Sequence, residues 1–217
     1  MQRRMSTLSL VPRLVQEEAN SLLTTLVKLL EIKATLDKME ADKTPGLDGF
    51  TNRFFKICWL IIKEDLHRMV LKSQRSNKIG GSTNFAFLAL IPKEKGATGF
   101  SRFRPISLCN TCYKLITKVI ANRLKNLLLS IILGNQGGFI KFCQILDNII
   151  LVQEAIHSRH HRREKGMVIK LDLANAFDGV NHDFLFHVMK KFGFSPEFTS
   201  WIKACVGSPW IAPLING

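Results

Sequence analysis

The sequence predicts an α+β fold, helix-rich with a small antiparallel sheet, and three features of its pattern predict it. Apolar residues recur every three or four positions over several long segments, as on buried helix faces. Two short runs rich in aromatic and aliphatic residues, 85–91 and 103–108, flank a charged, glycine-containing loop and read as the strands of a hairpin. No internal repeat or low-complexity linker interrupts this mixture, which fits a small sheet covered by helices. With 217 residues, 46% of them hydrophobic, the chain has apolar material for one sizeable domain or two small lobes.

From the N-terminal side, Leu22, Leu26, Leu29, Leu30, Ala34 and Leu36 predict a single helix over 22–39 with that face buried. Thr44-Pro45-Gly46-Leu47-Asp48-Gly49 packs a proline and two glycines into six residues, which enforces a turn and lets the backbone approach another surface closely. Thr51 is placed to cap a second helix carrying Phe54, Phe55, Trp59, Ile62, Leu66, Met69 and Val70, with a polar loop over 72–82 after it. Pro92 ends the first strand, residues 93–101 form the hairpin loop, and Asn110 or Thr111 caps a helix through Tyr113, Ile116, Ile120, Leu124 and Leu127. After a glycine break over 134–138, Asp147 is placed to cap a helix carrying Ile149, Val152 and Ile156, with a basic end at Arg159, Arg162 and Arg163. Residues 167–173 are a further strand candidate. Asn181 caps a helix through Phe184 and Val188 that Gly193 ends, and Ser195-Pro196-Glu197 opens the last one through Phe198, Trp201, Ile202 and Cys205.

Thirty-one Lys and Arg against 17 Asp and Glu leave a formal charge of +14. Such a field attracts the phosphate backbone of nucleic acid and, by the same physics, acidic membrane surfaces. No apolar stretch has the length of a bilayer span, since Ser130 breaks even the richest run, 127–133, so no membrane partner is expected. Arg3, Arg4 and Arg13 precede the first acid, Glu17, in faint likeness to a transit peptide, and no targeting role is assigned to them. The 5 cysteines, Cys58, Cys109, Cys112, Cys143 and Cys205, are odd in number and sit in apolar or helical segments. That argues against a disulfide framework and for a reducing, intracellular setting in cytoplasm or nucleus. Cys109 and Cys112 form a C-x-x-C with no second pair at ligand spacing, so zinc is not expected there. His157 and His161 share a helix face beside His160, but no third ligand is placed to complete a metal site, and the group reads as a solvated basic end.

The segment Lys170-Leu171-Asp172-Leu173-Ala174-Asn175-Ala176-Phe177-Asp178 delivers Asp172 from an apolar strand and Asp178 from the turn after it. Carboxylates at a strand end suit Mg²⁺, which takes oxygen donors. Aspartates in such places also serve as plain turn and cap residues, and the segment alone leaves both readings open.

Between Leu30 and Gly217 six stretches occur in the order they hold in the reverse transcriptase domain of plant-type non-LTR retrotransposons. They are Lys43-Thr44-Pro45-Gly46-Leu47-Asp48-Gly49-Phe50; Ala89-Leu90-Ile91-Pro92-Lys93; Phe103-Arg104-Pro105-Ile106-Ser107-Leu108-Cys109-Asn110 with Tyr113-Lys114; Asp147-Asn148-Ile149-Ile150; Lys170-Leu171-Asp172; and Leu214-Ile215-Asn216-Gly217. The chain resembles the N-terminal part of that domain. The resemblance implies a right-hand polymerase with an N-terminal helical extension over 1–42, a fingers-like region over 43–165 and a partial palm over 166–217.

Asp172 is similar to the first, catalytic metal-binding aspartate of the palm, with the backbone carbonyl of Leu173 as a second metal ligand. Phe177 resembles the aromatic gate under the sugar of the incoming nucleotide, although by its residue type alone it is equally a core residue. Lys93 and Arg104 correspond to the fingers residues that meet the dNTP triphosphate, a point charge beside a planar bidentate donor. Alone, each is also an ordinary solvated charge. Pro45, Gly46, Asp48 and Gly49 match the motif near the template strand, and residues 136–139 with Asp147-Asn148 match a further segment that positions the template. An RNA template, a DNA primer and dNTP are the implied partners. The implied cofactor is a pair of Mg²⁺ ions in two-metal phosphoryl transfer.

The aromatic-Ala-Asp-Asp turn that completes the family's site does not occur in the 217 residues, so at most one partial metal site is expected, in a fragment inactive by itself. Phe142-Cys143 stands where the family usually has Gly-Arg, and Asn175, Gly179 and His182 replace a usual Lys, a basic or polar residue, and Trp. The alternative expectation is a non-catalytic nucleic-acid-binding remnant. In either case Phe184, Phe192 and Trp201, which would pack inward in a complete palm, are expected to add apolar surface.

Overall fold

A computed structural model describes residues 11–132, 136, 145–163, 165–171, 179–207 and 209–214. In chain order these form α1 (Glu17–Thr24), α2 (Leu29–Asp37), α3 (Asn52–Ile57), α4 (Trp59–Ser76), β1 (Phe85–Pro92), β2 (Phe103–Cys109), α5 (Thr111–Ile131), α6 (Ile145–His161), α7 (His182–Phe192), α8 (Pro196–Gly207) and β3 (Trp210–Pro213). The described residues are helix-rich with one small sheet, as the apolar periodicity predicts.

The sheet has the order β2-β1-β3 and is mixed rather than antiparallel. β1 and β2 pair antiparallel from Ala86↔Cys109 to Pro92↔Phe103, the predicted hairpin. β1 and β3 pair parallel from Phe85↔Trp210 to Leu88↔Pro213. The expected strand over 167–173 is not the third strand: residues 167–171 lie outside any strand, and 172 and 173 lie outside the described residues. β3 is bracketed by amide bonds from Trp210 to the Asn84 carbonyl (3.1 Å) and from Leu214 to the Leu88 carbonyl (3.0 Å). β2 and β3 are the edges, where Pro105 and Pro213 remove no ladder bond that the sheet needs.

The chain divides into two compact units. One comprises Asn20–Arg123 and Ser195–Gly217 and holds the sheet. Its core includes Ile32, Leu36, Leu66, Val70, Leu115, Val119, Phe198 and Trp201, all buried. The expected single helix over 22–39 is two, α1 and α2, because the chain between them is bound by side chains from α4. The Val27 amide donates to Gln74 Oε1 (3.1 Å), His67 Nε2 lies 2.9 Å from the Val27 carbonyl oxygen, and Gln74 Nε2 donates to the carbonyls of Thr24 (3.2 Å) and Thr25 (2.9 Å). Two β-branched threonines at the break give the helix little propensity to resist these bonds. The face shifts accordingly: Leu23, Val27, Ile32 and Leu36 are buried, whereas Leu22, Leu26 and Leu30 are exposed. The second predicted helix also divides, at Cys58, and α4 runs on through the expected loop to Ser76, where Asn77 takes a left-handed conformation. Trp201, expected at the surface, is buried and donates its indole N–H to Ser73 Oγ (3.2 Å). The Phe198 amide donates to Ser195 Oγ (3.2 Å), the predicted cap of α8.

The other unit comprises Met1–Ala19 and Leu124–Phe194. Asn181 caps α7 as predicted, its side chain accepting from the Phe184 amide at 2.9 Å. Gly193 ends α7 at φ 93°. A Cβ there would stand 2.9 Å from the Val15 carbonyl oxygen, and the Leu14 and Val15 amides both donate to the Phe192 carbonyl, so the glycine also admits the N-terminal segment. Asp147 lies in the first turn of α6 rather than at its cap, since the helix already begins at Ile145. Ile149, Val152 and Ile156 on α6 are exposed, as is Phe184 on α7.

Candidate functional site

The hairpin brings together two of the expected nucleotide-binding residues. Its register sets Ile91 opposite Arg104 and Pro92 opposite Phe103. The ladder continues one step further, with the Lys93 amide donating to the Arg102 carbonyl at 2.8 Å. Strand alternation then turns Lys93 and Arg104 toward the same face of the hairpin end. Lys93 Nζ also donates to the Ser101 carbonyl (2.8 Å), which holds the ammonium at the loop. Arg102 pairs with Glu94 at 3.3 Å, while the Arg104 guanidinium is exposed and has no ion-pair or hydrogen-bond partner among the described residues. An exposed guanidinium beside an anchored ammonium is a phosphate-binding combination.

The turn carrying Pro45, Gly46, Asp48 and Gly49 sits in the same unit, braced by residues at the end of β2. The Gly49 amide closes it on the Gly46 carbonyl (3.2 Å), and Asp48 Oδ1 accepts from the Phe50 amide (3.1 Å). Asn110, directly after β2, accepts from the Asp48 amide (3.3 Å) and donates to the Ser82 carbonyl (2.9 Å). Lys114 Nζ donates to the Thr44 carbonyl (2.9 Å), and the Thr111 hydroxyl is bonded to the Phe50 carbonyl (3.0 Å) and Asn52 Oδ1 (3.1 Å). The close approach expected of the glycines is real at Gly46 and is made to the chain itself. A Cβ there would fall 2.2 Å from Asn110 Oδ1 and 2.6 Å from the Cys109 carbonyl carbon. Gly49 faces open space at φ 72°. Sequence reading assigned Asn110 only a possible cap role; the signal it carried was its place at the end of the Phe103-to-Asn110 stretch, next to Tyr113-Lys114.

Cys109 and Cys112 are half-buried free thiols. Burial raises both above the ordinary thiol range, Cys112 to about 11 with the Asp48 charge adding to the rise. Thiols held protonated in this way are poor nucleophiles and poor metal ligands at neutral pH. Among the described residues no group of three or more His, Cys, Asp or Glu is placed to hold a metal ion, and His157, His160 and His161 stand exposed at the end of α6. Asp172, Leu173 and Phe177 lie outside the described residues, as do 137–139; Lys170 and Leu171, which lead to them, are exposed. No helix of the described residues is long and apolar enough to cross a membrane.

The profile of the family described as reverse transcriptase (RNA-dependent DNA polymerase) matches residues 91–217. The uncharacterized 149 kDa protein of transposon TX1 from Xenopus laevis is 31% identical over 202 residues, 93% of this chain and 15% of that protein. The probable RNA-directed DNA polymerase from transposon BS of Drosophila melanogaster is 26% identical over 181 residues, covering 79% of this chain and 19% of its own. The retrovirus-related Pol polyprotein from type-1 retrotransposable element R2 of Popillia japonica is 27% identical over 113 residues, 52% of this chain and 16% of its own. The chain thus spans less than a fifth of the length of each of these relatives. The profile takes in the hairpin end with Lys93 and Arg104, all of α5 and everything beyond it, and on that match the chain belongs to the reverse transcriptase (RNA-dependent DNA polymerase) family, in its non-LTR retrotransposon branch.

Proposed function

We propose that this chain supplies the nucleotide- and template-binding part of an RNA-directed DNA polymerase, with residues 1–42 as an N-terminal extension, 43–165 as fingers and 166–217 as the start of the palm. The observation that carries the proposal is the hairpin register, which sets Lys93 and Arg104 on one face inside the segment matched by the family profile. In that role the two cations meet the triphosphate of dNTP and neutralise charge that grows on it during transfer. Pro45, Gly46, Asp48 and Gly49 form the turn beside the RNA template, with the DNA primer ending near Asp172. Phe177, a flat ring under the sugar, leaves no room for a 2′-hydroxyl and selects dNTP.

The Asp172 carboxylate and the Leu173 carbonyl are oxygen donors of the type Mg²⁺ takes, and the ion when bound would stabilise charge on the phosphoryl oxygens. Chemistry of this class needs a second carboxylate site. The 217 residues contain no Asp-Asp pair, so we expect binding by this chain alone and nucleotide transfer only when a segment bearing that pair is supplied.

Primer extension on an RNA template with Mg²⁺ and dNTP tests this, with template binding followed in the same tubes. The expected result is RNA binding without extension, and extension in a longer chain that Asp172→Ala abolishes. A longer chain whose extension survives Asp172→Ala overturns the assignment.

A further inference from the structure

A cleft of about 200 Å³ opens in the sheet-bearing unit between α1, the C-terminal end of α4 and the start of α8. The buried side chains of Leu23, Phe198 and Trp201 floor it, and the exposed Leu26 forms a wall. An apolar cavity of about 150 Å³ holds a benzene ring, so this cleft has room for one phenyl or branched alkyl group and little more.

Three polar side chains at the cleft are left over once the bonds of the fold are assigned. Gln74 and Thr24 are engaged: Gln74 with the carbonyls of Thr24 and Thr25 and the Val27 amide, the Thr24 hydroxyl with the Asn20 carbonyl at 2.8 Å. Arg75, in the last turn of α4, and Glu197, in the first turn of α8, are exposed and have no ion-pair or hydrogen-bond partner among the described residues. Each stands at the helix end that favours its charge, which keeps it at the rim and leaves its hydrogen-bonding groups unused. Asn77, left-handed at φ 52°, has its Oδ1 buried without a hydrogen-bond partner, a state that costs free energy until a donor meets it.

These leftovers prescribe a ligand. The Glu197 carboxylate and Asn77 Oδ1 call for donors, the Arg75 guanidinium calls for a carboxylate, and the floor calls for an apolar group. An α-ammonium supplies three donors next to both a carboxylate and a side chain. A nucleotide brings no cation for Glu197. We propose that this cleft binds a free α-amino acid with an apolar side chain of the size of phenylalanine or leucine. Its carboxylate lies on Arg75, its ammonium on Glu197 and Asn77, and its side chain against Leu26, Phe198 and Trp201. The assignment does not depend on the polymerase reading.

The test is a titration of the 217-residue chain with L-phenylalanine, followed by proton–nitrogen NMR at the Trp201 indole N–H on the floor of the cleft. A ligand of about twelve non-hydrogen atoms at the efficiency of ordinary ligands should bind with a Kd on the order of a few millimolar or tighter. N-acetyl-L-phenylalanine lacks the ammonium and L-phenylalaninol lacks the carboxylate; each should bind about tenfold more weakly. Glu197→Gln should weaken L-phenylalanine by about the same factor and leave N-acetyl-L-phenylalanine unaffected, and Arg75→Gln should do likewise with L-phenylalaninol as the indifferent ligand. Asn77→Gly keeps the left-handed backbone and should also weaken L-phenylalanine. Lys72→Gln, exposed and outside the cleft, should change nothing. Thermal melting checks each variant, and Leu26→Asn, at an exposed wall position, repeats the reading where another variant melts early.

Absence of a saturable Trp201 shift with L-phenylalanine or L-leucine up to about 20 mM overturns the site. Equal binding of the N-acetyl or alcohol analogue overturns the zwitterion assignment, and undiminished binding in both Glu197→Gln and Arg75→Gln overturns the placement. None of these outcomes touches the hairpin assignment.

Discussion

Replacing Arg123 with alanine removes a side chain that makes four hydrogen bonds within the sheet-bearing unit. Its Nε and Nη2 donate to the two carboxylate oxygens of Glu31 at 2.7 Å each, and its Nη1 donates to the carbonyls of Leu23 (2.8 Å) and Thr25 (2.6 Å). The guanidinium carbon lies 5.9 Å from the centre of the Trp201 ring. Only 9% of the Arg123 side chain is exposed, against 29% for Glu31. Removing one partner of a buried pair costs about 3–5 kcal/mol, and partial access of water to Glu31 places this pair near the lower end. The Thr25 carbonyl keeps a donor in Gln74, but the Leu23 carbonyl loses its donor, adding about 1 kcal/mol. A loss of about 4 kcal/mol is expected, a large fraction of the roughly 5–15 kcal/mol that holds a typical domain together.

Urea unfolding followed by tryptophan fluorescence measures this, because Trp59, Trp201 and Trp210 all belong to the same unit as Arg123. Arg123→Met keeps the apolar stem and isolates the guanidinium's share. A double-mutant cycle with Glu31→Gln should give a coupling of about 1–3 kcal/mol. Arg53 with Asp42 is the internal control: the fork is equally bidentate, at 2.8 and 2.7 Å, but both side chains are mostly exposed. Arg53→Ala should leave the unfolding midpoint almost unmoved. A loss below about 1.5 kcal/mol for Arg123→Ala, or a coupling near zero, refutes the reasoning that burial and not geometry makes the difference.

Further substitutions and a pH dependence are predicted from the same structure. Gly46→Ala should destabilise by about 2 kcal/mol or more, because backbone atoms at Cys109 and Asn110 cannot yield as a flexible side chain would; Gly49→Ala, strained but open, should cost about 1 kcal/mol and Gly49→Asn less, both read by thermal melting. Asn181→Ala should cost about 1 kcal/mol through loss of the Phe184 amide's acceptor, and an unchanged melting midpoint would refute the cap's contribution. Burial pushes the Cys205 thiol and the Tyr113 hydroxyl up to about 12 from ordinary values of 9.0 and 10.0. The fold favours their neutral forms, so this stability is complete below about pH 9 and is lost as pH rises toward 12. The melting temperature should fall between pH 9 and 11 and fall less in Cys205→Ser and Tyr113→Phe; equal falls in all three proteins would refute it.

What the sequence made legible was local. The hairpin follows from two apolar runs and the loop between them, and its register then puts Lys93 beside Arg104 with no further information. Asn181, Gly193 and Ser195 act as caps because capping is completed within one turn of the residue itself. The break between α1 and α2 was not legible, because the groups that hold it, His67, Gln74 and Arg123, lie 40 to 100 residues away in sequence. β3 was not legible either: four residues ending in proline carry almost no strand signal, and their partner β1 is more than 100 residues earlier.

In the turn at Pro45 to Gly49 a glycine of the motif has a structural task of its own. Its resemblance to a template-adjacent motif made its glycines look like places where nucleic acid approaches the backbone. Gly46 meets Asn110, and Asn110 directly follows β2, the strand that carries Arg104. The turn is thereby tied to the end of β2: Gly46 packs on it, Asp48 is bonded to Asn110, and Lys114 of α5 holds Thr44. Two stretches separated by about 60 residues of sequence depend on each other for position. A substitution at Gly46 should therefore disturb the end of β2 as well as the turn and lower the melting midpoint more than one at Gly49, which faces open space and acts on the turn alone.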